Sequence, residues 1–129
     1  MGALNRGTKV DRYEIVDFLG SGGMGEVYRA SDPKLARMIA LKVIRADRRA
    51  DETATMRLLR EARAVAAMTH PNILAIYDVG EARLPESQGP VSFIAMELIV
   101  GSSLRNYIGD STTPLPLKYE WLLDIAKAL

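Results

Sequence analysis

The chain has no cysteine, a single histidine (His70) and a single tryptophan (Trp121). Without cysteine, disulfides and thiolate metal sites are excluded, and the redox compartment leaves no mark on the sequence. One histidine argues against a zinc cluster. Neither sign of charge prevails: 17 Lys and Arg against 16 Asp and Glu give a formal net charge of +1. A balance this even carries no electrostatic footprint for nucleic acid. No apolar run approaches the length of a membrane span. The opening residues, MGALNRGTKVDRYE, lack the apolar core that follows the basic start of a signal peptide, so a cytoplasmic chain is the default expectation. Internal repeats and low-complexity tracts are also missing. What is present is ordinary for one small globular domain: 129 residues, 48% hydrophobic and 26% charged.

The periodicities divide the chain into elements. Tyr13–Gly20 (YEIVDFLG) alternates and reads as a strand ending at glycines. Gly25–Asp32 (GEVYRASD) reads as a second strand, closed by the breaker Asp32-Pro33. The short gap between them predicts a hairpin. Arg37–Arg45 (RMIALKVIR) is a third strand. From about Thr53 to Met68 the period changes, with Leu58, Ala62 and Val65 at helical spacing; Asp51 or Thr53 can cap that helix, and His70-Pro71-Asn72 stops it. Ile73–Gly80 and Val91–Ile99 read as two more strands, joined by an exposed loop richer in proline than a tight hairpin needs. SLRNYI suggests a short helix. PLKYEWLLDIAKAL suggests a longer one, with Leu117, Trp121, Leu122, Ile125 and Leu129 on one side. Three strands precede the first helix, so this is not an alternating βαβ chain. The fold class expected is α+β, a five-stranded antiparallel sheet with one helix packed on it.

Four glycines fall within the six residues Gly20–Gly25. Glycine lets backbone N–H groups approach a phosphate closely, and three phosphate-binding loops use it. A dinucleotide fingerprint must open a helix, but here Gly25 leads into Glu26-Val27-Tyr28 and a strand. A P-loop needs Lys-Ser or Lys-Thr after its last glycine, and that position is Glu26. The remaining use is a hairpin flap laid over the phosphates of ATP, G-x-G-x-x-G-x-V, which Gly20, Gly22, Gly25 and Val27 satisfy. By itself this pattern is also compatible with a plain glycine-rich turn.

Two charged residues bear on the choice. Strand alternation puts Met38, Ala40, Lys42 and Ile44 on one face, so Lys42 stands among apolar neighbours. A buried ammonium needs a partner, although a strand lysine can instead snorkel at an edge. Glu61 borders the apolar side of the first helix and can supply that partner. With Arg57 and Arg60 close by, it can equally be a solvated helix carboxylate.

Taken in order, LGSGGMGEVYRA, ALKVI, EARAVAAMTHPNI and FIAMELIVGSSL resemble the N-terminal lobe of a protein kinase of the bacterial Ser/Thr type, from about Arg12 onward. The resemblance implies residues 1–11 as an N-terminal tail, residues 12–100 as the ATP-binding lobe, and residues 101–129 as the hinge exit and first helices of a second lobe. Gly20, Ser21, Gly22, Gly23, Met24 and Gly25 would form the flap over the phosphates. Leu19, Val27 and Ala40 would roof the adenine. Lys42 would bind the α- and β-phosphates, held by Glu61. Met96 would guard the back of the adenine pocket, while Glu97 and Ile99 would meet adenine through a backbone carbonyl and amide. Gly101 would let the chain turn out of the hinge. His70 reads as a hydrogen-bonded turn residue, not a catalytic one, and Trp121 as packing.

The departures are as informative. The chain stops at Leu129, inside what the resemblance makes the first long helix of the second lobe. The H-R-D-x-x-x-x-N loop and the D-F-G and A-P-E motifs are not in it, and in this family those groups accept the substrate proton and hold Mg2+. The cofactors implied are ATP and Mg2+, the latter with ligands outside these residues, and no metal site is expected within them. The partner implied is a protein substrate bound by the second lobe, and the resemblance also allows a downstream membrane anchor in the parent. Three readings follow: a fragment of a kinase that transfers the γ-phosphoryl to Ser or Thr but is inactive by itself; a non-catalytic module holding nucleotide or a partner; or a fragment of a pseudokinase, against which the intact Lys42, Glu61 and glycines argue.

Overall fold

The computed structural model describes residues 4–22, 25–45, 52–85 and 89–129. Six strands form one antiparallel sheet in the order β1-β2-β3-β4-β6-β5: β1 Lys9–Val10, β2 Tyr13–Gly22, β3 Gly25–Asp32, β4 Arg37–Arg45, β5 Ile76–Arg83 and β6 Pro90–Met96, with the helix α1 Glu52–Ala66 between β4 and β5. The sequence predicts five strands; the sixth is β1, only two residues long and too short to show alternation. It forms because Gly7 (φ 89°) and Asp11 (φ 55°) turn the chain back on β2. The Gly7 N–H donates to the Ile15 carbonyl at 2.8 Å, and the Ile15 N–H donates to the Thr8 carbonyl at 2.9 Å.

The two faces of the sheet are covered differently. On one, Tyr28 and Ala30 of β3, Ile39, Leu41 and Val43 of β4, and Val91, Phe93 and Ala95 of β6 form the main apolar core. It is closed by Tyr13 and Ile15, by Leu84 after β5, and by Leu4 and Val10 from the N-terminal segment. Phe93 packs so tightly on Gly80 that a Cβ there would meet its ring at 2.9 Å. On the other face, Leu59 and Ala62 of α1 pack with Ile94 of β6, flanked by Leu58, Ile76, Val79 and Met96. Thr55, Leu59 and Ala62 are the buried residues of α1, spaced for one helical face. The helix starts at Glu52, so Thr53 lies within its first turn; Asp51, the other candidate cap, lies outside the described residues.

Strand β5 starts at Ile76 and not at Ile73, and β6 ends at Met96 and not at Ile99. Glu97 ends the ladder: its N–H donates to the Ala75 carbonyl at 2.8 Å, and its carboxylate accepts the Ala75 N–H at 3.2 Å.

Residues 69–74 and 99–129 form a second compact unit. It holds a short 3-10 helix, Leu104–Asn106, whose first turn is capped by the Ser103 hydroxyl, and α2, Leu115–Ala128, which opens with proline. Trp121 meets Tyr107 edge-on at 5.2 Å. The Asn72 side chain donates to the Asp124 carbonyl at 2.8 Å. His70 serves the turn, its Nδ1 accepting the Asn72 N–H at 3.0 Å.

Candidate functional site

The register of the sheet gathers five of the predicted site residues on one face. Gly20 is opposite Val27, Val27 is opposite Lys42, and Lys42 is opposite Ile94 while Ala40 is opposite Met96. Directly opposed residues point the same way, and alternation along β4 keeps Ala40 and Lys42 together. Gly20, Val27, Ala40, Lys42 and Met96 therefore share the face opposite the main core. Ala40 is buried and Lys42 half-buried among them. A bulge between Phe18 and Gly20 displaces Leu19, which is half exposed.

The flap glycines have different physical reasons. A Cβ on Gly25 would fall 2.3 Å from the Val43 carbonyl oxygen, so glycine there lets β3 approach β4. A Cβ on Gly20 would meet nothing within 4 Å, and no positive φ demands glycine at that position. Among the described residues nothing requires a glycine at 20. Ser21 is exposed opposite Glu26. Gly22 pairs with Gly25 at the end of the hairpin; Gly23 and Met24 lie outside the described residues.

The structure does not bring Lys42 and Glu61 together. The ion pairs among the described residues are Arg12–Asp32, Arg12–Asp78 and Arg29–Asp17, and Glu61 is exposed on α1. At about 100° per residue, Glu61 stands a quarter-turn from Ala62, off the face that packs on the sheet.

Glu97 follows directly on Met96 at the end of β6. Its N–H is taken by Ala75, so among its backbone groups only the carbonyl can serve a ligand. Ile99 is exposed and begins the second unit. Among the described residues no three His, Cys, Asp or Glu side chains cluster as a metal seat. The residues present do not by themselves fit a Mg2+ site.

Two polar clusters on the opposite face have no counterpart in the sequence reading. Asp32, buried at the end of β3, is bridged by Arg12 and also accepts the Lys34 N–H. Tyr28, fully buried, donates its hydroxyl proton to Glu26 and accepts the Leu4 N–H. Burial, reinforced by the Glu26 carboxylate, pushes the Tyr28 phenol above its ordinary range. A signal was available: Glu26, Tyr28 and Asp32 alternate in register with apolar Ala30, which places polar groups on a buried face.

The protein kinase domain family matches residues 13–129. The chain belongs to that family. It is 44% identical over 120 residues to the serine/threonine-protein kinase PknB of Mycobacterium leprae, covering 92% of this chain and 19% of that protein. It is 40% identical over 119 residues to a probable serine/threonine-protein kinase of Streptomyces coelicolor, SCO3848, covering 92% of this chain and 17% of that protein. Among solved structures, the PknI kinase domain of Mycobacterium tuberculosis superposes with a TM-score of 0.76 at 29% identity, over 98% of this chain and 50% of that one. The chain thus spans about a fifth of its curated relatives' length and half of the PknI kinase domain. The six-stranded sheet with α1 is kinase N-lobe-like.

Proposed function

We propose that this chain is the nucleotide-holding part of a Ser/Thr protein kinase, and that it holds ATP without transferring phosphate by itself. The observation that carries the reading is the face shared by Gly20, Val27, Ala40, Lys42 and Met96, with open space above Gly20. Val27, Ala40 and Met96 offer an apolar bed for a purine, with Leu19 at its rim. The carbonyl of Glu97, directly after Met96, would meet its edge. The backbone of residues 20–22 and 25 covers the phosphates, and the Lys42 ammonium meets their charge. Such positioning and charge neutralisation are most of what phosphoryl transfer asks of a protein. Glu61 steadies Lys42 only if α1 turns that residue toward the sheet. Mg2+ would supply charge neutralisation at the phosphates when bound; the ligands that would hold it, and the base for a protein hydroxyl, belong to motifs that these residues do not include. The exposed apolar side of α2, with Leu122, Leu123 and Ile125, supports a second reading, a module that docks a partner.

Calorimetric titration of the 129-residue chain with MgATP tests the first reading. The 129 residues span half of the PknI kinase domain, so their expected Kd for MgATP is about 1 mM, or about −4 kcal/mol. Lys42→Met should abolish binding while leaving the melting temperature unchanged. Phosphoryl transfer to a generic protein substrate should be undetectable. Equal affinities for wild type and Lys42→Met would overturn the assignment of Lys42, and turnover that survives further purification would overturn the claim of inactivity.

A further inference from the structure

The glycine hairpin is fastened from behind by the N-terminal segment. Leu4 is buried, and its backbone N–H donates to the Tyr28 hydroxyl oxygen at 3.2 Å. The Tyr28 hydroxyl in turn donates to the Glu26 carboxylate. Glu26 is 3% exposed and Tyr28 fully buried. A phenol has one proton to give, and here it goes to the residue next to Gly25 and opposite Ser21. The Tyr28 ring also stands edge-on to Phe18, with centroids 5.7 Å apart, two residues before Gly20. One side chain thus grips both strands of the hairpin on the face away from Lys42. That face is the only one from which the hairpin can be held while its ligand side stays open.

We propose that Tyr28 is a positioning residue for the nucleotide flap, and that the segment around Leu4 is the strap that fixes it. Docked, the strap holds β2 and β3 in the geometry that covers the phosphates; released, it leaves the hairpin loose. The inference rests on reading the hairpin as a nucleotide flap.

The test follows amide hydrogen exchange of residues 18–22 and 25–27 in the full chain, with β4 and β6 amides as internal reference. Leu4→Pro removes the donated N–H and keeps an apolar residue, Tyr28→Phe removes the hydroxyl, and Leu4→Val keeps the N–H. Leu4→Pro and Tyr28→Phe should each speed flap exchange about tenfold, the loss of one hydrogen bond, with the reference amides unmoved. They should also weaken MgATP binding severalfold, while Leu4→Val should match wild type. Unchanged flap exchange, or equal acceleration of flap and reference, would overturn the proposal by making Tyr28 an ordinary core residue. Should the flap loosen as expected while wild type binds no ATP, the strap is upheld and the nucleotide reading falls.

Discussion

At the scale of single residues, the two flap glycines are separable by experiment. Gly25 is fixed by the fold, since any Cβ there runs into the Val43 carbonyl at 2.3 Å. Backbone on both sides of the clash leaves nothing to yield. Gly25→Ala is expected to cost about 2 kcal/mol or more, as overpacking does, seen as a lower midpoint in urea. Gly20→Ala meets open space and should leave the midpoint unchanged within about 0.5 kcal/mol, while weakening MgATP binding. If Gly20→Ala destabilises as much as Gly25→Ala, the space above Gly20 is not kept for a ligand. The sequence could count these glycines and recognise their spacing. It could not tell them apart, because the difference lies at Val43 in β4, eighteen residues after Gly25. The same limit applies to Lys42 and Glu61. Alternation placed Lys42 on its face, but whether Glu61 reaches it depends on the rotation of α1 about its axis, which Leu59, Ala62 and Ile94 set together.

Among the elements, those with strong periodicity were legible almost to the residue: β3 and β4 span Gly25–Asp32 and Arg37–Arg45 as their patterns predict. The elements held by long-range polar contacts were not. β1 needs a turn at Gly7, and the junction of β3 with β4 is organised by Asp32, whose partner Arg12 lies twenty residues away. Burial is the largest effect and opposes the charge on Asp32, but the Arg12 hydrogen bond and charge and the Leu35 and Lys34 N–H groups together outweigh it. The net result is a carboxyl held below its ordinary value. A carboxylate whose folded pKa is depressed stabilises the fold above its unfolded pKa of about 4 and loses that contribution as pH falls through the folded value. Asp32→Asn should therefore lower stability at pH 7 by roughly 1–3 kcal/mol, and the gap to wild type should close on acidification below about pH 4. Asp110 is also held low, chiefly by Thr112, so the difference between the two proteins is the quantity to read. A gap that stays constant from pH 7 to pH 2 would show that Asp32 acts by shape and not by charge.

For the whole molecule, stability is unevenly distributed. Every residue of the described apolar core belongs to the unit of residues 1–68 and 75–98. In the unit of residues 69–74 and 99–129, neither α2 nor the short 3-10 helix buries a residue. A helix of 14 residues without a packed face is marginal in water, and Pro114 gives α2 no side-chain cap. What holds it is local: the Asn72 side chain on the Asp124 carbonyl and Trp121 against Tyr107. The chain should therefore open in two steps. Native-state hydrogen exchange in low denaturant should show α2 amides opening at about 1–2 kcal/mol, and β3, β4 and β6 amides only at the global unfolding energy. Asn72→Ala should speed exchange across α2 and leave the sheet untouched. The exposed Leu122, Leu123 and Ile125 add a concentration dependence, because self-association through that face would slow α2 exchange as protein concentration rises. Were α2 to exchange with the sheet in a dilute monomer, the two units would open together as one cooperative fold.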